Sequence, residues 1–283
     1  MMSISHTSLK INSYYNSFTK TEKKVADFVL ENTNDVMYYS ITELADKASV
    51  GESTVLRFSR KLGFSGFQDF KLAVAQDHNQ PSNYEDEEIQ HSDDMKSVIN
   101  KVIKKQINSL EGNLQLLDDK SIQKAVDIIV QSRKVTFFGV GSSGITAGQA
   151  SSSMLRIGIN CDYKQDSHFQ AMSASLLTTE DCVIGISVSG STKDTIYNLE
   201  IAKKAGAKII CITNNAKSPI TKLADIVLLI SGKENPLEGS SILSQLAQLS
   251  CVDILCTSIK NQGNNKTKTY RELTAKALSE KLY

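Results

Sequence analysis

The spacing of apolar residues divides the chain into three stretches. Over residues 19–76, apolar positions recur in short blocks at helical intervals, which predicts several short helices. Thr19 stands three residues before Glu22 and ahead of Val25, Ala26, Phe28, Val29 and Leu30, a capping-box pattern for a helix that runs to about Glu31. Ser40 is placed to cap a second helix over 41–48. The break Ser49-Val50-Gly51 leads to a third over 52–62, which Gly63 ends. Helix, tight turn, helix is a helix-turn-helix unit, in which Leu44, Ala45, Val50, Val55 and Phe58 lock the pair together. The outer face of the later helix then carries Glu52, Ser53, Thr54, Arg57, Arg60 and Lys61, whose basic and hydroxyl groups suit phosphates and base edges. The charges alone favour a solvated helix face, since Glu52 opposes the basic residues.

Residues 78–94 are polar and acidic, with the run Glu85-Asp86-Glu87-Glu88, and bury too little apolar surface to order themselves. They predict a linker between a domain at 1–77 and one at 95–283. The second domain opens on a long amphipathic helix marked by Val98, Val102, Ile103, Ile107, Leu110, Leu114 and Leu117. Its stripe suits either the domain that follows or another copy of the chain. After a helix over 121–131, strands near 134–139, 159–163, 182–187, 207–212 and 225–230 alternate with helices near 143–157, 166–177, 192–205, 218–224 and 240–259. A last helix is expected over 269–282. The fold class is therefore multi-domain: an all-α N-terminal helix-turn-helix domain and an α/β three-layer domain with a five-stranded parallel sheet.

Two glycine- and serine-rich loops follow the first and third strands, Gly139-Val140-Gly141-Ser142-Ser143-Gly144 and Ser187-Val188-Ser189-Gly190-Ser191-Thr192. Such loops opening helices at strand ends attract anions, and hydroxyls add donors that turn to suit phosphate or sugar oxygens. Gly139, Gly141 and Gly144 also satisfy G-x-G-x-x-G, with Asp162 about 20 residues on, as a dinucleotide fold requires. That fold does not call for four hydroxyls after the third strand, so the pairing favours one compact phosphorylated ligand. One serine per loop would suffice as a helix cap; Ser187, Ser189, Ser191 and Thr192 exceed that need.

Composition narrows the partners. Of 283 residues, 32 are Lys or Arg and 31 Asp or Glu, so a net charge of +1 supplies no global field for nucleic acid and any DNA contact must be local. The five cysteines are odd in number and sit in apolar runs, which predicts buried, reduced thiols in a cytoplasmic protein. The four histidines are scattered without ligand spacing, so no metal and no cofactor is expected. No run approaches about 18 apolar residues, so no membrane partner is expected either.

The run Ile41-Thr42-Glu43-Leu44-Ala45 followed by Val50-Gly51-Glu52-Ser53-Thr54-Val55-Leu56-Arg57-Phe58-Ser59-Arg60-Lys61-Leu62-Gly63-Phe64-Ser65-Gly66-Phe67 closely resembles the N-terminal domain of RpiR-family transcriptional regulators. The resemblance implies DNA contact by Thr42, Glu52, Ser53, Thr54, Arg57, Arg60 and Lys61. Gly51 stands where the family usually carries a serine, which removes a capping oxygen. Residues 121–260 resemble the sugar isomerase (SIS) domain of phosphosugar-binding proteins, through both loops, Ala205-Gly206-Ala207, Ile212-Thr213-Asn214 and Ser218-Pro219-Ile220. This implies sugar or phosphate contact by Ser142 and Ser143, a phosphate cradle of Ser187, Ser189, Gly190, Ser191 and Thr192, and Glu238 near the sugar. Ser244-Gln245 replaces the family's usual Ser-Arg pair.

Together these features predict a non-enzymatic DNA-binding regulator of sugar catabolism genes. A repressor is the expected sign, controlled by a sugar phosphate and acting on double-stranded operator DNA as a homodimer or higher homo-oligomer. A sugar-phosphate isomerase with Glu238 or His168 as base, and a dinucleotide-responsive regulator, are the alternatives.

Overall fold

The structure, a computed structural model, describes residues 6–37, 39, 41–79, 89–216, 218–232, 242–262, 265–279 and 281. The chain divides into two compact units, one of residues 1–108 with 215–217 and one of 109–214 with 218–283.

The first unit holds helices α1 (His6–Tyr14), α2 (Lys20–Glu31), α3 (Thr33–Val36), α4 (Ile41–Lys47), α5 (Glu52–Lys61) and α6 (Phe67–Asn79), with a 3₁₀ turn at Tyr15–Ser17, and takes in residues 95–108 of the helix that follows. The predicted capping box opens α2: the Glu22 N–H donates to Thr19 Oγ1 at 3.3 Å, and the Thr19 N–H donates to the Glu22 carboxylate at 2.8 Å. Apolar residues of all six of these helices meet in one core where Phe58 is fully buried between Phe18 and Phe70, at ring-centroid distances of 5.0 and 5.7 Å. Leu44, Ala45 and Val55 join this core, with Val50 packed against it, as the helix-turn-helix reading requires. The expected Ser40 cap lies outside the described residues.

Helix α7 (Met95–Leu116) is followed by α8 (Asp119–Gln131), and then strands and helices alternate: β1 (Lys134–Phe138), α9 (Gly141–Leu155), β2 (Cys161–Tyr163), α10 (Ser167–Ser175), β3 (Asp181–Ile186), α11 (Lys193–Lys204), β4 (Lys208–Thr213), β5 (Ile226–Leu229), α12 (Ile242–Asn261) and α13 (Asn265–Ser279). The segment expected as a short helix near 218–224 holds a 3₁₀ turn, Ile220–Lys222. All five strands pair in parallel in the order β2-β1-β3-β4-β5.

Alternation along the strands splits the core between two sheet faces. Val135, Phe137, Ile184, Ile186, Ile210 and Ile212 pack with α8, α9 and α12 on one side. Phe138, Val183, Ile209 and Cys211 pack on the other with Ala174 of α10 and Leu199 and Ala202 of α11. Helix α12 is 20 residues long and includes an 18-residue stretch with a mean hydropathy of 1.4, long and apolar enough to cross a membrane, a combination the sequence reading did not register. Ala247, Cys251, Val252, Leu255 and Ile259 nevertheless seat it in the first of these cores, as the central helix of a globular domain. Burial pushes the Cys211 and Cys251 thiols up to about 12 and Cys256 to about 11, so they remain protonated and inert at neutral pH.

Candidate functional site

Strands β1 and β3 lie side by side at the centre of the sheet, and their continuations run to opposite edges. Their carboxyl ends therefore form the switch-point crevice where doubly wound sheets bind ligands. Both glycine-serine loops leave from here. They come close enough that a side chain on Gly139 would bring its Cβ within 3.2 Å of the Ile186 carbonyl oxygen.

The second loop is held by its own hydroxyls. Ser187 Oγ lies 2.9 Å from Thr192 Oγ1 and accepts from the Gly190 N–H at 3.1 Å, while Ser189 Oγ accepts from the Ser191 N–H at 3.2 Å. The end of β4 braces it, as Thr213 Oγ1 and the Asn214 N–H both donate to the Val188 carbonyl at 3.0 Å. The turn needs a glycine at 190: its φ is +65°, and a Cβ there would sit 2.1 Å from Ser218 Oγ.

Neither helix behind these loops has a side-chain cap. Helix α9 begins after Val140 and α11 after Thr192, and in both the N-cap side chain makes no capping hydrogen bond. The orphan N–H groups of a first turn carry the positive end of the helix dipole, so two uncapped N-termini at adjoining strand ends favour an anion. The serines thus do not serve as N-caps. Ser143 is nearly buried, Ser142, Ser189 and Thr192 are half-buried, and Ser191 is exposed.

Asp162, the acid of the dinucleotide pattern, already bonds Lys134 Nζ at 3.1 Å and Lys164 Nζ at 3.0 Å. Burial pushes its carboxyl up, but the two lysines outweigh that and hold it below the usual range. His168 is exposed in the first turn of α10.

In the first unit, α4 and α5 are joined by a turn in which Ser49 takes a left-handed φ of +52° and the Val50 N–H donates to the Ala45 carbonyl at 2.9 Å. Gly51 is the α5 N-cap in extended conformation and, having no side chain, leaves that end without a side-chain cap. Exposed on α5 are Glu52, Ser53, Arg57 and Arg60, and Glu52 accepts from the exposed Thr42 hydroxyl at 2.6 Å.

The family model for the helix-turn-helix domain of the rpiR family matches residues 6–81, and the SIS domain model matches 128–258. An uncharacterized HTH-type transcriptional regulator of Haemophilus influenzae is 39% identical over 250 residues, 87% of each chain. The chain belongs to the RpiR family of transcriptional regulators. RpiR of Escherichia coli is 31% identical over 85% of this chain and 81% of its own. Among solved structures, NanR of Vibrio vulnificus complexed with ManNAc-6P is 30% identical, covers 96% of this chain and 98% of its own, and superposes with a TM-score of 0.64.

Within this RpiR-family framework, most of the residues singled out from sequence gather in two places, the α5 surface and the β1/β3 crevice. Two on α5 depart from the expected outer face. Thr54 is only 6% exposed, because α5 buries Thr54 with Val55, Phe58 and Ser59. Lys61 turns inward, its Nζ donating to the Ser17 carbonyl at 2.7 Å and to Glu22 at 2.9 Å. Glu238 lies outside the described residues. Sequence reasoning also passed over a set of buried amides. Gln170 Nε2 donates to the Gly139 carbonyl at 2.8 Å, Asn198 Nδ2 donates to Gln170 Oε1 at 3.3 Å, and Gln248 reaches Ser143. A polar residue on the apolar side of a helix was the available signal, legible only once the buried face is known.

Proposed function

We propose that the chain is a cytoplasmic transcriptional repressor of sugar catabolism genes, with residues 1–77 as the DNA reader, 78–94 as a linker and 95–283 as the sensor. A sugar phosphate held by Ser142, Ser143, Ser187, Ser189, Gly190, Ser191, Thr192 and Glu238 relieves repression. The observation that carries this reading is the pair of uncapped helix N-termini at adjoining strand ends, lined by hydroxyls. The complex of NanR with ManNAc-6P makes an N-acetylhexosamine 6-phosphate the first ligand to try. On the DNA side, Arg57 and Arg60 bind phosphate or guanine, Ser53 adds a hydroxyl contact, and Thr42 with Glu52 fixes the start of α5.

The chain works as a homodimer or higher homo-oligomer, since two half-sites about one helical turn apart need paired heads. Exposed Ile99, Ile103, Ile107 and Leu114 along α7 support such pairing. The effector acts by its differential affinity for the two arrangements of the heads, about 1–3 kcal/mol of coupling. The chain performs no catalysis in this reading. An isomerase needs a base that moves a proton between adjacent carbons; of the two candidates, His168 sits exposed on α10 and Glu238 lies outside the described residues, so an activity assay decides the point. Against a dinucleotide effector, both oxygens of the Asp162 carboxylate already face lysines, Lys134 and Lys164.

The test is operator binding by the full chain with and without N-acetylmannosamine 6-phosphate and other hexose 6-phosphates. The expected result is release of DNA by one of them without turnover. Ser189→Ala with Thr192→Ala is expected to abolish release and keep DNA affinity. Arg57→Ala with Arg60→Ala is expected to weaken DNA binding and flatten its salt slope by about 2. Turnover of a sugar phosphate, or release by NAD alone, overturns the reading.

A further inference from the structure

Gln248 on α12 is 1% exposed and reaches from the second turn of that helix to the first turns of α9. Its Nε2 donates to Ser143 Oγ at 2.9 Å, and its Oε1 accepts from Thr146 Oγ1 at 2.8 Å. A serine hydroxyl has one proton and two lone pairs. With Gln248 donating to its oxygen, the Ser143 proton is directed elsewhere, and Ser143 becomes a donor. Were the amide turned over, Oε1 would take that proton and Ser143 would offer the loop only a lone pair. In the structure the amide stands in the first of these states, with Oε1 accepting from the Thr146 hydroxyl at 2.8 Å; that hydroxyl also lies 3.3 Å from the Ser142 carbonyl.

We propose that Gln248 is a specificity-determining positioning residue, which rests on the sugar-phosphate reading above: it fixes the Ser143 hydroxyl as a donor toward an acceptor oxygen of the ligand. The site then discriminates by polarity of the hydrogen bond. A phosphate or carbonyl oxygen facing Ser143 is accepted, whereas a group able only to donate leaves two protons opposed. The direction of this bond is set from a helix more than 100 residues away in the sequence.

The test has two arms, both on the full chain. In the first, exchange of the Gln248 Nε2 protons is followed by NMR without ligand: Ser143→Ala is expected to speed the exchange of one proton, and unchanged exchange overturns the proposal whether or not any ligand binds. In the second, N-acetylmannosamine 6-phosphate and inorganic phosphate are titrated calorimetrically into Ser143→Ala, Gln248→Met and the double variant. Each single change is expected to weaken binding about tenfold, and the double change no further, because Gln248 acts only through Ser143. A purely structural glutamine would weaken binding in the Ser143→Ala background as well, and losses that multiply to about a hundredfold overturn the proposal. If Gln248→Met does not fold, Thr146→Val frees the amide at nearly constant shape; it is expected to weaken binding in the wild-type background alone, and an equal loss in the Ser143→Ala background counts against the assignment. Failure of both probes to bind the unaltered chain defeats the sugar-phosphate reading instead, and the exchange arm keeps the two failures apart.

Discussion

The reading head and the sensor expose their candidate contacts in opposite ways. On α5 the side chains offered to DNA stand out in solvent, and what holds them is the apolar face behind them, centred on Phe58. In the crevice of the sensor, the hydroxyls of Ser143, Ser187 and Thr192 are engaged before any ligand arrives, by Gln248 or by one another. A DNA backbone is a large polyanion that tolerates adaptable side chains, because its attraction is mostly long-ranged charge. A small sugar phosphate makes few contacts, and each is worth most when its geometry is fixed beforehand. The first surface is therefore sensitive to the packing that supports it, and the second to the backbone that shapes it.

This contrast can be broken most forcefully at Phe58. Phe58→Ala removes a fully buried ring in contact with Phe18 and Phe70 and is expected to cost the first domain about 3–5 kcal/mol. Scanning calorimetry should show the transition of the helix-turn-helix unit collapse while that of the α/β unit stays in place. Loss of both together would mean that the units do not fold independently.

A smaller but sharper effect is expected at Gly190. Gly190→Ala forces a side chain into a left-handed turn and against Ser218, so effector binding should fall more than about tenfold. Operator affinity without effector should hold within about twofold. A variant that binds effector normally would show that the second loop does not form the cradle.

The smallest effect is on pH dependence. Asp181, buried at the start of β3, is held below the usual carboxylate range first by the Arg133 guanidinium, then by the Thr178 N–H and hydroxyl, against burial that pushes it up. Its folded pKa lies below the unfolded one, so its contribution is present above the unfolded carboxylate value and lost as pH falls through the folded one. Asp181→Asn should lower sensor stability at neutral pH and flatten the acid limb of its stability profile. An acid limb identical to that of the unaltered chain would assign the loss to other carboxylates.

Much of this architecture is legible in the sequence because it rests on local rules. The Thr19–Glu22 capping box is a four-residue pattern, and the strand positions follow from short apolar runs, within two residues of the observed ends. The misplacement of Thr54 has a physical reason. A polar β-branched residue beside Val55 is consistent with either face, and only the packing of α5 on its neighbours chooses the inner one. The inward turn of Lys61 is hidden because its partners, Ser17 and Glu22, lie 44 and 39 residues away. Gln248 is hidden for the same reason, with its partners Ser143 and Thr146 at 105 and 102 residues. Helix α1, with the polar sequence HTSLKINSY, has too weak a periodicity to announce itself.

The bare starts of α9 and α11 carry a consequence for the lifetime of the protein. A helix whose opening amides lack a side-chain partner frays more readily, and a bound phosphate would complete both turns at once. The metabolite would then be the last structural piece of its own receptor. Without its ligand, the sensor would open more often at these two helices and meet proteases sooner. Amide exchange over the first turns of α9 and α11 should slow many-fold when effector is added, while exchange in β4 should change little.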